Sequence, residues 1–160
     1  MGRPIKCRFT PKNPAKYLGH NITNIITRSS LENSACLLFD NHPSILGWMS
    51  ESLPSHTVHK GLDGIPYINP FTGRPSIYVP DFFVIYEDRN GGKHTEVIEI
   101  KPTEEILGFR GKVSKLKEAR QILNAAKFVA AVKFCSARGW LFRIATETEI
   151  FAWTRKTANA

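Results

Sequence analysis

The order of elements along this chain predicts an α/β fold with a mixed β-sheet between helices. Three observations carry it. A helix start with capping chemistry stands near residue 30. A run of short β-rich segments, punctuated by turn residues, fills residues 45–101. A long basic amphipathic stretch then leads into one more strand. The 160 residues suit one ordinary domain, and 42% hydrophobic with 22% charged residues is a globular composition.

Residues 1–28 hold Pro4, Pro11 and Pro14 among basic and polar residues with little apolar periodicity, which predicts a basic irregular N-terminal arm ahead of a single domain over 29–160. Ser29-Ser30-Leu31-Glu32 has N-cap and capping-box chemistry, and Leu31, Ala35 and Leu38 keep helical spacing until Asn41-His42-Pro43. Ile45–Leu53 reads as a short strand or extended segment around Trp48. Ile65–Phe71 and Ile77–Val84 read as strands joined by the turn residues Asn69–Gly73. Phe82–Tyr86 and Thr95–Lys101 flank Asn90-Gly91-Gly92, a hairpin signal, and Pro102 ends the second run. From Lys112 to about Ala137, Leu116, Ala119, Ile122, Leu123, Ala126, Val129 and Ala130 make one apolar stripe, on one long helix or on two with a break near Asn124. Gly139 suits the helix end, Trp140–Thr146 reads as a strand, and Glu147–Trp153 as a final helix.

Net charge is +8, which points to a polyanionic partner. Its distribution says more. Residues 1–28 carry six bases and no acid; residues 29–100 carry four bases and nine acids; residues 101–160 carry twelve bases and five acids. Basic ends flank an acidic centre, as a protein that brings divalent cations to a polyanion requires; scattered surface acids are the plainer reading of the same count. No apolar run is long enough for a membrane span, and the basic start has no apolar core behind it, so neither a membrane protein nor a secretory leader is expected. Three widely spaced cysteines, Cys7, Cys36 and Cys135, fit a reducing compartment better than a disulfide framework.

The chemistry concentrates in Tyr78-Val79-Pro80-Asp81-Phe82 and Val97-Ile98-Glu99-Ile100-Lys101-Pro102. Alternation along a strand puts Glu99 and Lys101 on one face, with Ile98 and Ile100 on the other. A hairpin then brings Asp81 beside Glu99. Two carboxylates and an ammonium at one spot suit Mg²⁺-assisted phosphodiester cleavage, with Mn²⁺ as a substitute. Asp81 and Glu99 hold the cation, the carbonyl of Ile100 is a further hard oxygen, and Lys101 acts on the water or the transition state.

This Pro-Asp…Glu-x-Lys pattern resembles the PD-(D/E)xK nuclease superfamily. Taken with the helix before it and the basic helix after it, the order over about residues 29–150 resembles the TnsA-type endonuclease domain. The resemblance implies a restriction-endonuclease-like core and a metal-dependent DNA endonuclease or exonuclease of low sequence specificity. It also implies that an upstream helical Glu, here Glu32, completes the acidic site. A Glu at the third position of a capping box needs no catalytic role, so position 32 reads as ligand or as cap alone. More narrowly, size, the Met1-Gly2-Arg3-Pro4 opening and the motif resemble the head completion nucleases of T-even-type bacteriophages. That implies double-stranded DNA and phage head, portal or neck proteins as partners, in the host cytoplasm during assembly or on the virion, with no membrane and no small-molecule cofactor. The alternative is a non-catalytic DNA-binding or virion structural protein with a nuclease-like fold. A transposase subunit would need a second domain for its partner.

Other signals carry less. His56 and His59 lack further ligands at useful spacing, and Gly91-Gly92 lacks the GK[ST] of a phosphate loop. Ser29 and Ser30 have no His-Asp arrangement. Gln121 is followed four residues on by Ala125, not the tyrosine of RecB-like relatives. Glu96 reads as surface. Trp48, Trp140 and Trp153 read as core or interface. Lys112, Lys115, Lys117 and Arg120 read as a phosphate-tracking face or as ordinary solvated helix surface.

Overall fold

The computed structural model describes residues 6–54, 64–107 and 114–158. In chain order the first elements are β1 (Cys7–Phe9), β2 (Ile25–Thr27), α1 (Ser30–Asn41), β3 (Ile45–Ser50), β4 (Ile65–Ile68) and β5 (Pro75–Tyr78). There follow β6 (Phe82–Glu87), β7 (Lys93–Ile100), α2 (Thr103–Leu107), α3 (Lys115–Ser136), β8 (Leu141–Ala145) and α4 (Glu147–Ala158).

The central sheet has the order β3-β6-β7-β8. Its first two pairings are antiparallel and β7–β8 is parallel, so the sheet is mixed. The parallel pair follows from chain length, because α3 fills the crossover that such a pair requires. One face, with Trp48, Phe82, Val84, Ile98 and Ile100, packs on Ala35, Leu38 and Phe39 of α1 and Ile150 of α4. The other, with Met49, Phe83 and Val97, packs on Ala131 and Cys135 of α3. The alternation read from the sequence is therefore the alternation of the two cores.

Ser29 Oγ accepts the Glu32 N–H at 3.0 Å, which starts α1. The Glu32 carboxylate reaches one residue beyond the N-cap, accepting the Arg28 N–H at 2.8 Å. His42, held extended ahead of Pro43, ends the helix. In the β6–β7 hairpin, Gly91 takes the left-handed conformation at φ 81°, and Asp88 Oδ1 accepts the N–H groups of Asn90 and Gly92.

Four sequence expectations change. Residues 6–28 are not simply an irregular arm. β1 pairs with β2, and Phe9, Tyr17 and Ile25 are buried in the α1-side core. Phe9 and Tyr17 each set an edge against Trp48, at 5.8 and 4.8 Å between centroids. The fully buried Asp40 accepts the backbone N–H groups of Lys12 and Asn13. Such anchors are isolated, so they leave no period in the sequence. Second, Ile77–Val84 is not one strand. It breaks at Val79-Pro80-Asp81, and β5 leaves the central sheet to pair with β4. Third, α3 runs unbroken through Asn124 with Ser114 as its cap, but its buried stripe is rotated. Ala131 and Cys135 are buried, whereas Leu116, Ile122 and Val129 are exposed. The helix is apolar over much of its circumference, and the aromatics of β5 and β8 select the packed side. Phe128 lies 6.3 Å from Tyr78 and 5.6 Å from Phe142. Fourth, Glu96 is buried rather than on the surface. It faces away from Glu99, as spacing requires, and pairs with Arg143 at 3.0 Å, with the Tyr86 hydroxyl at 3.3 Å.

Among the described residues no helix is long and apolar enough to cross a membrane. The three cysteines are free, and burial raises the thiol pKa of Cys36 and Cys135, the latter to about 11. Trp48 is fully buried, Trp140 packs 5.1 Å from Phe83, and Trp153 packs on the α1-side core.

Candidate active site

The site forms where β6 and β7 run past the strand that leaves the sheet. Their register pairs Phe82 with Ile98 and Phe83 with Val97. One step beyond, Asp81 stands beside Glu99, whose side chain falls on the α3-side face with Tyr78. Two hydrogen bonds fix the pair. Ile100 N–H donates to Asp81 Oδ2 at 2.8 Å, and Asp81 N–H donates to Glu99 Oε2 at 3.3 Å.

Glu99 is buried and Asp81 is half-buried, and the proton affinity of Asp81 is raised. Its pKa is pushed up from 3.8 to about 7, first by burial, then by the neighbouring charge of Glu99 and, more weakly, by that of Glu32. The bond from Ile100 and the charge of Lys101 act in the opposite sense. Lys101 lies at the end of the same strand, with Nζ 3.4 Å from Glu99 Oε1 and 3.8 Å from Glu105 Oε2 on α2.

The fold thus brings together Asp81, Glu99 and Lys101. Glu32 is near enough to act electrostatically on Asp81, but its carboxylate is engaged at the start of α1. Ile100 enters through its backbone N–H, while its side chain belongs to the opposite core. Among the described residues no group of three or more His, Cys, Asp or Glu side chains is gathered into a metal-holding cluster. His56, His59 and Lys112 lie outside the described residues. Lys115, Lys117 and Arg120 are exposed on the first turns of α3.

Sequence reading missed Tyr78 as a site residue. Its hydroxyl donates to Glu99 Oε2 at 2.6 Å, and burial together with Glu99 raises the phenol pKa. Lys127 of α3 lies over the Tyr78 ring, 5.7 Å from the centroid. The available signal was a Tyr three residues before the Asp, ahead of a proline, which lets the chain turn and present both. Glu51 was missed as well. Its N–H donates to the Asp81 carbonyl at 2.9 Å, its carboxylate pairs with Arg28, and its backbone is left-handed at φ 48°. A cavity of about 230 Å³, lined by Tyr86, Glu96, Arg143 and Trp153 among others, lies on the α1-side face, across the sheet from Asp81 and Glu99.

No curated protein matches the chain. The family model for the TnsA-like endonuclease N-terminal domain matches residues 42–147, about two thirds of the sequence. The match encloses Asp81, Glu99 and Lys101 and leaves Glu32 ahead of its first residue. The mixed sheet between helices is the restriction-endonuclease-like arrangement, and on the strength of that match the chain belongs to the TnsA-like N-terminal endonuclease family.

Proposed function

We propose that this protein is a Mg²⁺-dependent deoxyribonuclease, active with Mn²⁺ as well, that cuts double-stranded DNA with low sequence specificity. The observation that carries the reading is the hydrogen-bonded Asp81–Glu99 pair, with Lys101 Nζ 3.4 Å from Glu99. The charge of Glu99 raises the proton affinity of Asp81, a repulsion that a bound cation relieves, and the oxygens of both are hard donors, so the residues fit a divalent metal. Asp81 and Glu99 would hold it, with the Ile100 carbonyl and, after release from the helix start, Glu32 as further ligands. When bound, such an ion polarises a phosphate and lowers the pKa of water. Tyr78 and the Asp81 N–H orient Glu99; the Ile100 N–H orients Asp81; Lys101 aligns the attacking water or offsets charge on the phosphate. The exposed bases of α3 and the basic N-terminal segment supply phosphate contacts. Residues 29–160 are read as the nuclease domain and 1–28 as a basic N-terminal segment, of which residues 7–27 brace the core. The basic N-terminal residues and the motif further support a role in phage head completion and head–tail joining, with head, portal or neck proteins as partners, acting in the host cytoplasm or on the virion.

Supercoiled plasmid incubated with the protein in Mg²⁺, in Mn²⁺ and in EDTA tests the reading. Cleavage in either metal, none in EDTA, and none by Lys101→Ala with its fold intact are expected. Full activity of Lys101→Ala would overturn the assignment. DNA binding with no cleavage in any metal would favour a non-catalytic DNA-binding or virion structural protein instead.

A further inference from the structure

Three contacts chain four residues together beside the carboxylate site. Glu32 accepts the Arg28 N–H, the Arg28 side chain pairs with Glu51, and the Glu51 N–H donates to the Asp81 carbonyl. The chain joins α1, the end of β3 and the start of β6. Two of its features exceed what a fold contact needs. Glu51 holds a left-handed backbone, an arrangement that a non-glycine residue keeps only when its surroundings enforce it, and such outliers gather at functional sites. The Arg28 side chain is also 46% exposed despite its ion pair. A guanidinium has five N–H donors in a planar fork, and among the described residues Glu51 takes only the Nη1 edge. The remaining edge has the geometry for a phosphate.

Building on the nuclease reading, we propose that Arg28 is a DNA-phosphate ligand at the mouth of the site, and that Glu51 is the positioning residue that aims it. The ligand class is a backbone phosphodiester of the strand lying across Asp81 and Glu99. Arg28 meets it with the free edge of the fork while Glu51 keeps the other edge. The left-handed turn at Glu51 puts its carboxylate on Arg28 while its N–H stays on Asp81, so substrate grip and site geometry share one residue.

The test measures binding of a short blunt DNA duplex in EDTA across a salt series, using the full chain as wild type, Arg28→Ala, Arg28→Gln, Arg28→Lys and Glu51→Gln, each checked by thermal melting. Loss of one phosphate contact should reduce the slope of log affinity against log salt by about 0.9 in Arg28→Ala. Arg28→Gln serves in its place if the alanine variant does not fold. Arg28→Lys, which keeps the charge, should retain the wild-type slope. Glu51→Gln should also retain it, while raising KM for plasmid cleavage with little change in kcat. A wild-type slope in Arg28→Ala or Arg28→Gln overturns the proposal and leaves Arg28 a fold contact. Equal loss of slope in Arg28→Lys overturns it too, because charge is then not what matters, and so does a fall in kcat alone for Glu51→Gln. A wild type that fails to cleave in any metal instead removes the nuclease reading beneath it.

Discussion

Replacing Asp81 with Asn should stabilise the metal-free protein at alkaline pH, although it removes a residue placed in the active site. A half-buried carboxylate whose pKa rises from 3.8 to about 7 favours its protonated form in the folded state. Its contribution to stability is complete below the unfolded value and is lost as pH rises through the folded one. The difference corresponds to about 4 kcal/mol between the two protonation states. Asn carries no charge, and its side-chain oxygen can still accept the Ile100 N–H that Asp81 Oδ2 accepts at 2.8 Å. Urea denaturation of both proteins in EDTA, from about pH 4 to about pH 8, reads the difference. Asp81→Asn should gain on the wild type progressively, approaching 4 kcal/mol at the top of the range. Adding Mg²⁺ at the alkaline end should restore the wild type and not the variant, because ligand binding stabilises only the state that binds. Parallel stability–pH curves for the two proteins would refute the reasoning, since Asp81 would then carry no unusual proton affinity and the pair no repulsion.

Two further outcomes follow from the same geometry. Tyr78→Phe removes the 2.6 Å bond to Glu99 and should cost about 2 kcal/mol in urea denaturation; it should also slow plasmid cleavage while leaving duplex binding in EDTA at the wild-type level. Arg143→Met should cost about 3 kcal/mol by stranding the buried Glu96 carboxylate, and adding Glu96→Gln in the same chain should recover most of that loss in a double-mutant cycle.

What the sequence made legible was local. The capping box at Ser29, the Asn-Gly hairpin and the alternation in Glu99-Ile100-Lys101 each lie within a few residues, and each stands in the structure where spacing puts it. The facing of Asp81 and Glu99 follows from that hairpin alone. The remainder depended on partners far along the chain. Glu96 is buried because Arg143, 47 residues on, neutralises it. The packed side of α3 is chosen by Tyr78 and Phe142, which no helical period reports. Tyr78 reaches Glu99 across 21 residues, and only because β5 departs from the central sheet at Pro80. Glu32 is intermediate: the Ser29 cap on its N–H is read directly from the sequence, whereas its carboxylate's hold on Arg28 and its electrostatic reach to Asp81 depend on how α1 is entered and docked.

The fork where β5 and β6 part company has a practical consequence. Asp81 is the stitch at its crotch: its N–H, its carbonyl and its carboxylate each tie a different neighbour, namely Glu99, Glu51 and Ile100. A residue that so fastens the seam tolerates loss of charge far better than loss of shape. Asn keeps all three ties, whereas Ala drops one and leaves the Ile100 N–H stranded. On the nuclease reading proposed above, an inert but intact form, fit for trapping uncut DNA, is therefore expected from exchanging one oxygen for nitrogen at position 81 and not from truncating the side chain.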